Sequence, residues 1–126
     1  MTIPRPMLAA EKRTEQVAKA MAEFHAGVVG RVREAVERDP VVVVGMAQNP
    51  VVKAARKLLA EEGIAYTYLE YGSYLSKWKE RLAIKLWAGF PTFPMVFVDG
   101  VLIGGYTDLV ELDKSGELAT MLAAKR

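Results

Sequence analysis

The residue type that most limits the chemistry of this 126-residue chain is cysteine, which is absent. Without cysteine the chain can form no disulfide, bind no metal through a thiolate and use no thiol as a nucleophile. The single histidine, His25, could act as a metal ligand or an acid–base group. A lone histidine without a second ligand is more often a surface residue, so we expect His25 to lie at the surface.

The dipeptide Asn49-Pro50 predicts the start of a helix, where unpaired backbone N–H groups can bind an acceptor. Asparagine is a favoured N-cap, and proline fits the first helical position because its missing N–H has no partner there anyway. The four valines from Val41 to Val44 precede it and predict a central strand that is buried on both faces. Asn49 can accept hydrogen bonds from the helix N–H groups, but its amide cannot become a nucleophile.

The stretch from Phe90 to Leu109 contains the densest set of backbone signals in the chain. Met95 to Val98 predicts a short buried strand, and Val101 to Ile103 predicts the returning strand. Asp99-Gly100, between them, is a strong two-residue hairpin signal. We therefore expect a tight β-hairpin here.

A glycine pair, Gly104-Gly105, ends this hairpin and precedes a further helix. The Thr107 hydroxyl is suited to cap that helix. Asp108 falls in its first turn, where the positive end of the helix dipole favours a carboxylate. The pattern therefore predicts a helix that is capped by Thr107.

Five short motifs in this half of the chain resemble the C-terminal half of a glutaredoxin, closest to the monothiol type. In chain order they are Thr-Phe-Pro, Val-Phe-Val-Asp-Gly, Ile-Gly-Gly, Asp-Leu and Ser-Gly-Glu-Leu. Any one motif alone would be weak, but their order and spacing together make the resemblance specific. It implies a thioredoxin-like fold and a cis peptide bond between Phe93 and Pro94, a form that few X-Pro bonds adopt by default.

The resemblance places Asn49 and Val52 where dithiol glutaredoxins have their nucleophilic and resolving cysteines. A cysteine at a helix N-terminus has a lowered pKa because the N–H groups and the dipole stabilise its thiolate. With Asn49 in that position, we expect no thiol–disulfide exchange. We also expect no iron–sulfur cluster, because monothiol members hold the cluster through the missing thiolate.

The resemblance also implies a glutathione-binding groove, carried by six residues of this chain. These residues are Lys85, Thr92, Phe93, Pro94, Thr107 and Asp108. Lys85 would meet the glycine carboxylate of glutathione, the backbone of Phe93 would pair with its peptide, and the residues after the glycine pair would bind its γ-glutamyl end. Met46 stands where the family usually has a lysine, so the groove loses one positive charge. Structural roles are equally open to these residues, such as helix capping for Asp108.

Two functional classes remain open. The first is a binding module for glutathione or for a protein partner. The second is a glutathione-dependent enzyme without a protein thiol, similar to glutathione transferases, in which a hydroxyl stabilises the thiolate of the cofactor. Tyr71, Tyr74 and Tyr106 offer such hydroxyls. We favour the binding module because aromatic side chains at such positions more often pack than react.

The elements that position these residues predict an α/β fold. Ile64 to Leu69 predicts the second strand, and a helix before Gly89 is predicted by the spacing of Leu75, Trp78, Leu82 and Leu86. Glu11 to Arg38 has a helical pattern, in which Gly27 and Gly30 leave one helix or two equally open. The resemblance adds the topology, a mixed four-stranded sheet flanked by helices.

Composition and charge exclude several classes of partner. The chain is 52% hydrophobic and 25% charged, with a net charge of +2, which is too small to indicate nucleic-acid binding. No stretch approaches the ~20 apolar residues that span a bilayer, so we expect no membrane association. Residues 1–10 show no sustained apolar segment of the kind found in secretory signals. We therefore expect a cytoplasmic protein.

The resemblance implies two parts: a helical extension outside the family pattern at residues 1–26, and a domain that resembles glutaredoxins at residues 27–126. An apolar stripe runs along the extension at Val17, Met21 and Phe24. Such a helix is stable in water only when its stripe is covered. The cover could be the domain itself, a second copy in a homodimer, or another protein.

Overall fold

A computed structural model describes residues 6–123 and shows a four-stranded sheet flanked by helices on both faces. After a single 3-10 turn at Ala10–Lys12, the elements are α1 (Glu15–Glu23), α2 (Ala26–Arg38), β1 (Val41–Gly45), α3 (Pro50–Glu61), β2 (Thr67–Glu70), α4 (Trp78–Ala88), β3 (Met95–Val98), β4 (Val101–Gly104), α5 (Tyr106–Ser115) and α6 (Glu117–Ala123). Within the described range, no helix is long and apolar enough to cross a membrane.

The valine strand β1 lies inside the sheet, whose strand order is β2-β1-β3-β4. It pairs in parallel with β2 and antiparallel with β3, and β3 and β4 form an antiparallel hairpin. Val42 and Val44 contribute to a core with α2 and α4, whereas Val41 and Val43 contribute to a second core with α3, α5 and α6. The predicted burial of β1 on both faces and the mixed α/β sheet are confirmed.

The β3–β4 hairpin turns at Asp99 and Gly100, as the sequence predicts. Asp99 has a φ of 49° and Gly100 a φ of 81°. Positive φ at both central residues is the geometry that matches the twist of the flanking strands, and glycine adopts it at little cost.

The two helices of the N-terminal region meet at His25 rather than at a glycine. His25 adopts a left-handed conformation, with φ 47° and ψ 41°, and precedes α2 as its N-cap residue. Its ring makes an edge contact with Phe24, with 4.8 Å between centroids. Gly27 and Gly30 lie within α2, so they do not break the helical pattern.

The prediction that Thr107 caps α5 is wrong, because the helix begins two residues earlier than that cap implies, at Tyr106, with Gly105 as its N-cap. The expected position of Asp108 in the first turn is confirmed. Its Oδ2 accepts a hydrogen bond of 2.9 Å from the Gly105 N–H. A carboxylate at this position reaches back to the N-cap backbone, so the cap needs no hydroxyl.

Two further expectations differ from the structure. Strand β2 begins at Thr67 rather than Ile64, since its pairing with β1 starts with Val42 opposite Thr67. In α4 the buried residues are Arg81, Ala83 and Ile84. The predicted apolar stripe is instead exposed, at Leu75, Trp78, Leu82 and Leu86.

Candidate functional site

The candidate site is built on the N-terminus of α3, where Asn49 is the N-cap and Pro50 the first helical residue. Asn49 has an extended backbone, and its Oδ1 accepts hydrogen bonds from the N–H groups of Val51 at 2.9 Å and Val52 at 3.0 Å. The sequence prediction of this cap is confirmed. One neutral oxygen thus satisfies two of the backbone donors that every helix start leaves unpaired.

The other end of the Asn49 amide points to Tyr74. The Nδ2 group donates a 3.2 Å hydrogen bond to the Tyr74 hydroxyl. Tyr74 is 63% exposed, so the phenol stands at the surface beside the helix start. The Asn49 side chain therefore accepts hydrogen bonds from the helix through its oxygen and donates one to Tyr74 through its nitrogen.

The other two candidate tyrosines lie elsewhere. Tyr71 packs against the core formed with α2 and α4, and Tyr106 packs against the opposite core. Neither has a hydrogen bond to Asn49 among the contacts of residues 6–123. Tyr74 is accordingly the hydroxyl that the fold brings to the α3 N-terminus.

A loop from residue 71 to residue 77 carries Tyr74 and is fixed at its base by backbone hydrogen bonds. The Tyr71 N–H donates to the Gly45 carbonyl at 2.9 Å, and the Ala47 N–H donates to the Gly72 carbonyl at 2.6 Å. These bonds tie the loop to the end of β1. The loop is therefore positioned by β1, the strand that also precedes α3 in the chain.

The buried side chain of Arg81 also holds this loop. Its Nη1 donates to the Tyr71 carbonyl at 2.9 Å and to the Ser76 carbonyl, and the residue is only 8% exposed. Sequence reasoning missed this role, because an arginine inside a helical pattern gives no signal that it is buried. The contact joins α4 to the loop that positions Tyr74.

The proposed groove residues Lys85 and Phe93 come together in the structure. The Lys85 Nζ lies 5.6 Å from the centroid of the Phe93 ring. The peptide bond between Phe93 and Pro94 is cis, and Pro94 is buried while Thr92 is exposed. A cation thus lies near the ring of Phe93, the residue that precedes the cis proline.

The start of α5 lies against this segment. A Cβ atom placed on Gly105 would be 3.5 Å from the carbonyl oxygen of Pro94, so the two backbones approach closely. Thr107 and Asp108 follow in the first turn of α5, and both are exposed. The Oδ2 atom of Asp108 already caps the helix, while Met46 is buried and supplies no charge.

The described residues show no cluster that could hold a metal ion. No group of three or more histidine, aspartate or glutamate side chains within 6–123 has a suitable arrangement. His25 lies at the junction of α1 and α2, where it contacts Phe24. The side chains of the candidate site carry amide, hydroxyl, ammonium and carboxylate groups, on Asn49, Tyr74, Lys85 and Asp108.

No family model matches the chain, but the similar proteins and the similar solved structures are glutaredoxins or glutaredoxin-like. The chain is 46% identical over 114 residues to a glutaredoxin-like protein of Dictyostelium discoideum, which covers 90% of this chain and 93% of that protein. A mutated buckwheat glutaredoxin matches with a TM-score of 0.72 and 25% identity, covering 81% of this chain and 93% of that one. A buckwheat glutaredoxin–glutathione complex shares the fold, with a TM-score of 0.67 and 24% identity over 89% of this chain and 96% of that one.

Replacing Gly72 by alanine is expected to destabilise the protein by about 1–3 kcal/mol, the typical cost of a strained backbone. Gly72 has a φ of 67°, and a Cβ there would lie 2.5 Å from the Ser76 carbonyl oxygen. Urea unfolding of the variant would measure the loss.

Gly30→Ala is the matched control. Gly30 lies within α2, and a Cβ there meets no atom within 4 Å. Alanine should be neutral or stabilise by up to about 1 kcal/mol because it favours the helix. Equal free energies of unfolding for the two variants would contradict the strained geometry at Gly72.

Proposed function

The chain belongs to the glutaredoxin family, and from this premise we propose that it is a glutathione-binding protein that does not carry out thiol–disulfide exchange. The observation that carries the proposal is the Asn49 side chain, whose oxygen accepts hydrogen bonds from the first N–H groups of α3. In a thiol-dependent member these donors would stabilise a thiolate. Here a neutral amide takes them.

The composition and this geometry both support the proposed absence of a redox step. Thiol–disulfide exchange needs a thiolate that attacks a disulfide sulfur. The chain has no cysteine, and an amide nitrogen hydrogen-bonded to Tyr74 cannot replace the thiolate. Asn49 therefore preserves the helix start and supplies no nucleophile, and no iron–sulfur cluster is held through a thiolate of this chain.

The ligand assignment rests on the groove residues. Lys85 stands beside Phe93 with its ammonium group available for a carboxylate. The backbone from Thr92 to Pro94 can pair with a peptide, and the exposed Thr107 hydroxyl and the second oxygen of Asp108 suit an ammonium group. Glutathione combines a carboxylate, a peptide backbone and an ammonium group, and the buckwheat relative of the same fold is a complex with glutathione.

The purified protein is expected to show no glutathione-dependent reduction of a mixed disulfide, whereas an Asn49→Cys variant should gain a thiol with a pKa below the ordinary ~8.5. The substitution exposes the Val51 and Val52 N–H groups to a thiolate. The pH dependence of alkylation would give the pKa directly, because the new thiol is the only one in the chain.

Ala60→Cys provides the control, since residue 60 is exposed in the last turn of α3, at the opposite end of the helix from its unpaired N–H groups. Its thiol should titrate near ~8.5. Heat-sensitive reductase activity in the unmodified protein would refute the loss of redox function. A pKa for the residue-49 thiol no lower than that of the control would refute the role of the α3 donors.

Glutathione titrated into labelled protein should shift the amide signals of Lys85, Thr92, Phe93 and Thr107 in heteronuclear NMR spectra. Binding should weaken with salt, because ions screen the attraction between Lys85 and the glycine carboxylate. Lys85→Met should weaken binding by on the order of tenfold, as expected for a charge-assisted hydrogen bond.

Lys57→Met serves as the comparison, because Lys57 is an exposed residue of α3 that pairs with Glu61. It should leave the glutathione affinity unchanged. Signal shifts scattered over the surface, or equal effects of the two lysine variants, would refute the groove.

A second candidate function is favoured by the Tyr74 hydroxyl, which lies 3.2 Å from the Asn49 nitrogen. A phenol at this position could donate a hydrogen bond to the thiolate of bound glutathione and so promote its attack on an electrophile. The chain would then be a glutathione-dependent enzyme with a non-cysteine mechanism. Against this candidate, Asn49 already occupies the α3 donors that would help to hold a thiolate.

A chromogenic conjugation assay separates the two functions. If Tyr74 is catalytic, Tyr74→Phe should reduce turnover by on the order of a hundredfold while leaving glutathione binding intact. Tyr66→Phe is the control, because the Tyr66 hydroxyl accepts its hydrogen bond from Arg56, whereas Tyr74 is bonded to Asn49. Absence of conjugation in the unmodified protein would leave the binding function alone.

A further inference from the structure

The segments that carry the candidate site meet at one edge of the sheet. Val44, near the end of β1, pairs with Met95, the first residue of β3. Asn49 follows β1, and the segment from Thr92 to Pro94 directly precedes β3. Strand β2 runs parallel to β1, so the loop from residue 71 to residue 77 starts at this edge as well. The start of α3, the cis-proline segment and that loop therefore lie at the same edge.

The sulfur of a glutathione molecule in the proposed groove comes to this edge. Its cysteine is the middle residue, between the glycine carboxylate assigned to Lys85 and the γ-glutamyl end assigned to Thr107 and Asp108. The backbone of that cysteine is the part that pairs with Phe93. Its sulfur accordingly lies at the edge where β1 ends and α3 begins.

The start of α3 meets this sulfur with a neutral side chain. The Asn49 oxygen already accepts the hydrogen bonds of the Val51 and Val52 N–H groups. A thiolate gains little where the helix donors are taken. A thioether sulfur has neither a charge nor a proton, so it needs no partner there. The Asn49 cap therefore suits a sulfur that carries a substituent.

Three exposed side chains with apolar surface lie next to Asn49, and we call them the apolar rim. Val51 is in the first turn of α3, Tyr74 accepts a hydrogen bond from Asn49 through its hydroxyl, and Leu75 follows Tyr74 in the chain. Leu75 is 97% exposed. A single exposed apolar residue needs no explanation, but three beside one polar group offer apolar contact to a ligand that reaches it.

The part of the rim on the loop is held in place before any ligand binds. The Leu75 N–H donates to the Ser73 Oγ at 3.3 Å, and the Ser73 N–H donates to the Ser76 Oγ at 3.1 Å. Arg81 donates to carbonyl groups of the same loop. Contact with Leu75 therefore costs little ordering of the backbone, which favours binding.

We propose that this site binds glutathione S-conjugates, in which the sulfur carries an apolar substituent, in preference to free glutathione. The proposal rests on the glutathione-binding function given above and specifies the class of glutathione derivative. The peptide part of the ligand occupies the groove, the thioether sulfur lies beside Asn49, and the substituent packs on the apolar rim. Binding makes and breaks no covalent bond.

Calorimetric titration of the full chain with glutathione, S-methylglutathione and S-hexylglutathione tests the proposal. S-methylglutathione should bind at least as tightly as glutathione, and S-hexylglutathione roughly tenfold more tightly than the methyl compound, because its further methylene groups leave water. Leu75→Ser and Val51→Thr should each reduce the ratio of the hexyl to the methyl affinity, whereas Leu75→Met should preserve it. Oxidised glutathione, whose substituent is polar, should show no such gain.

Two variants serve as controls. Val101→Ser changes an exposed valine that begins β4 at the hairpin end of the sheet, away from the site, and should preserve the ratio. Lys85→Met should weaken the methyl and hexyl compounds by the same factor, because the carboxylate and the substituent contact separate parts of the site.

The outcomes separate this inference from the proposed function. Equal affinities for the methyl and hexyl compounds, a ratio that survives both Leu75→Ser and Val51→Thr, or tighter binding of glutathione than of S-methylglutathione would overturn the preference and leave glutathione binding standing. Hexyl binding that is insensitive to Lys85→Met would overturn it too, since the substituent would then bind elsewhere. Absence of binding by all the compounds would overturn the proposed function, and this inference with it.

Discussion

The backbone N–H groups at the start of α3 need an acceptor, and the site depends on how that need is met. A thiolate and an amide oxygen can both accept these hydrogen bonds, but the amide does so without charge and at any pH. Asn49 supplies the oxygen to Val51 and Val52, and Pro50 removes one N–H that would otherwise need a partner. The helix start is thus well formed without a charged group at its N-cap.

The same asparagine organises its surroundings through its nitrogen. Tyr74 accepts from Nδ2, and its loop is tied to β1 through Gly45 and Ala47. Strand β1 in turn is held inside the sheet by valines packed on both faces. A short series of backbone and side-chain hydrogen bonds therefore connects the site to the core of the sheet.

Local signals in the sequence predicted the parts of the structure that local physics decides. Four valines, Asn49-Pro50 and Asp99-Gly100 each specify a backbone state, and each was confirmed. The failures concern choices between competing partners. The Asp108 carboxylate accepts the hydrogen bond from the Gly105 N–H, so a Thr107 cap is unnecessary. The apolar spacing of α4 did not show which side of the helix faces the core. The burial of Arg81 depends on carbonyl groups in the loop from residue 71 to residue 77, so no pattern within α4 could predict it.

The guanidinium of Arg81 joins α4 to the loop that carries Tyr74. It donates hydrogen bonds to two carbonyl groups of that loop. The same helix carries Lys85, whose ammonium group lies near the Phe93 ring, and Leu86, whose side chain is exposed. Coupling between two binding sites on one rigid element is reciprocal in free energy. If binding beside Lys85 and a contact at Leu86 are coupled through α4, each must change the affinity of the other by the same factor.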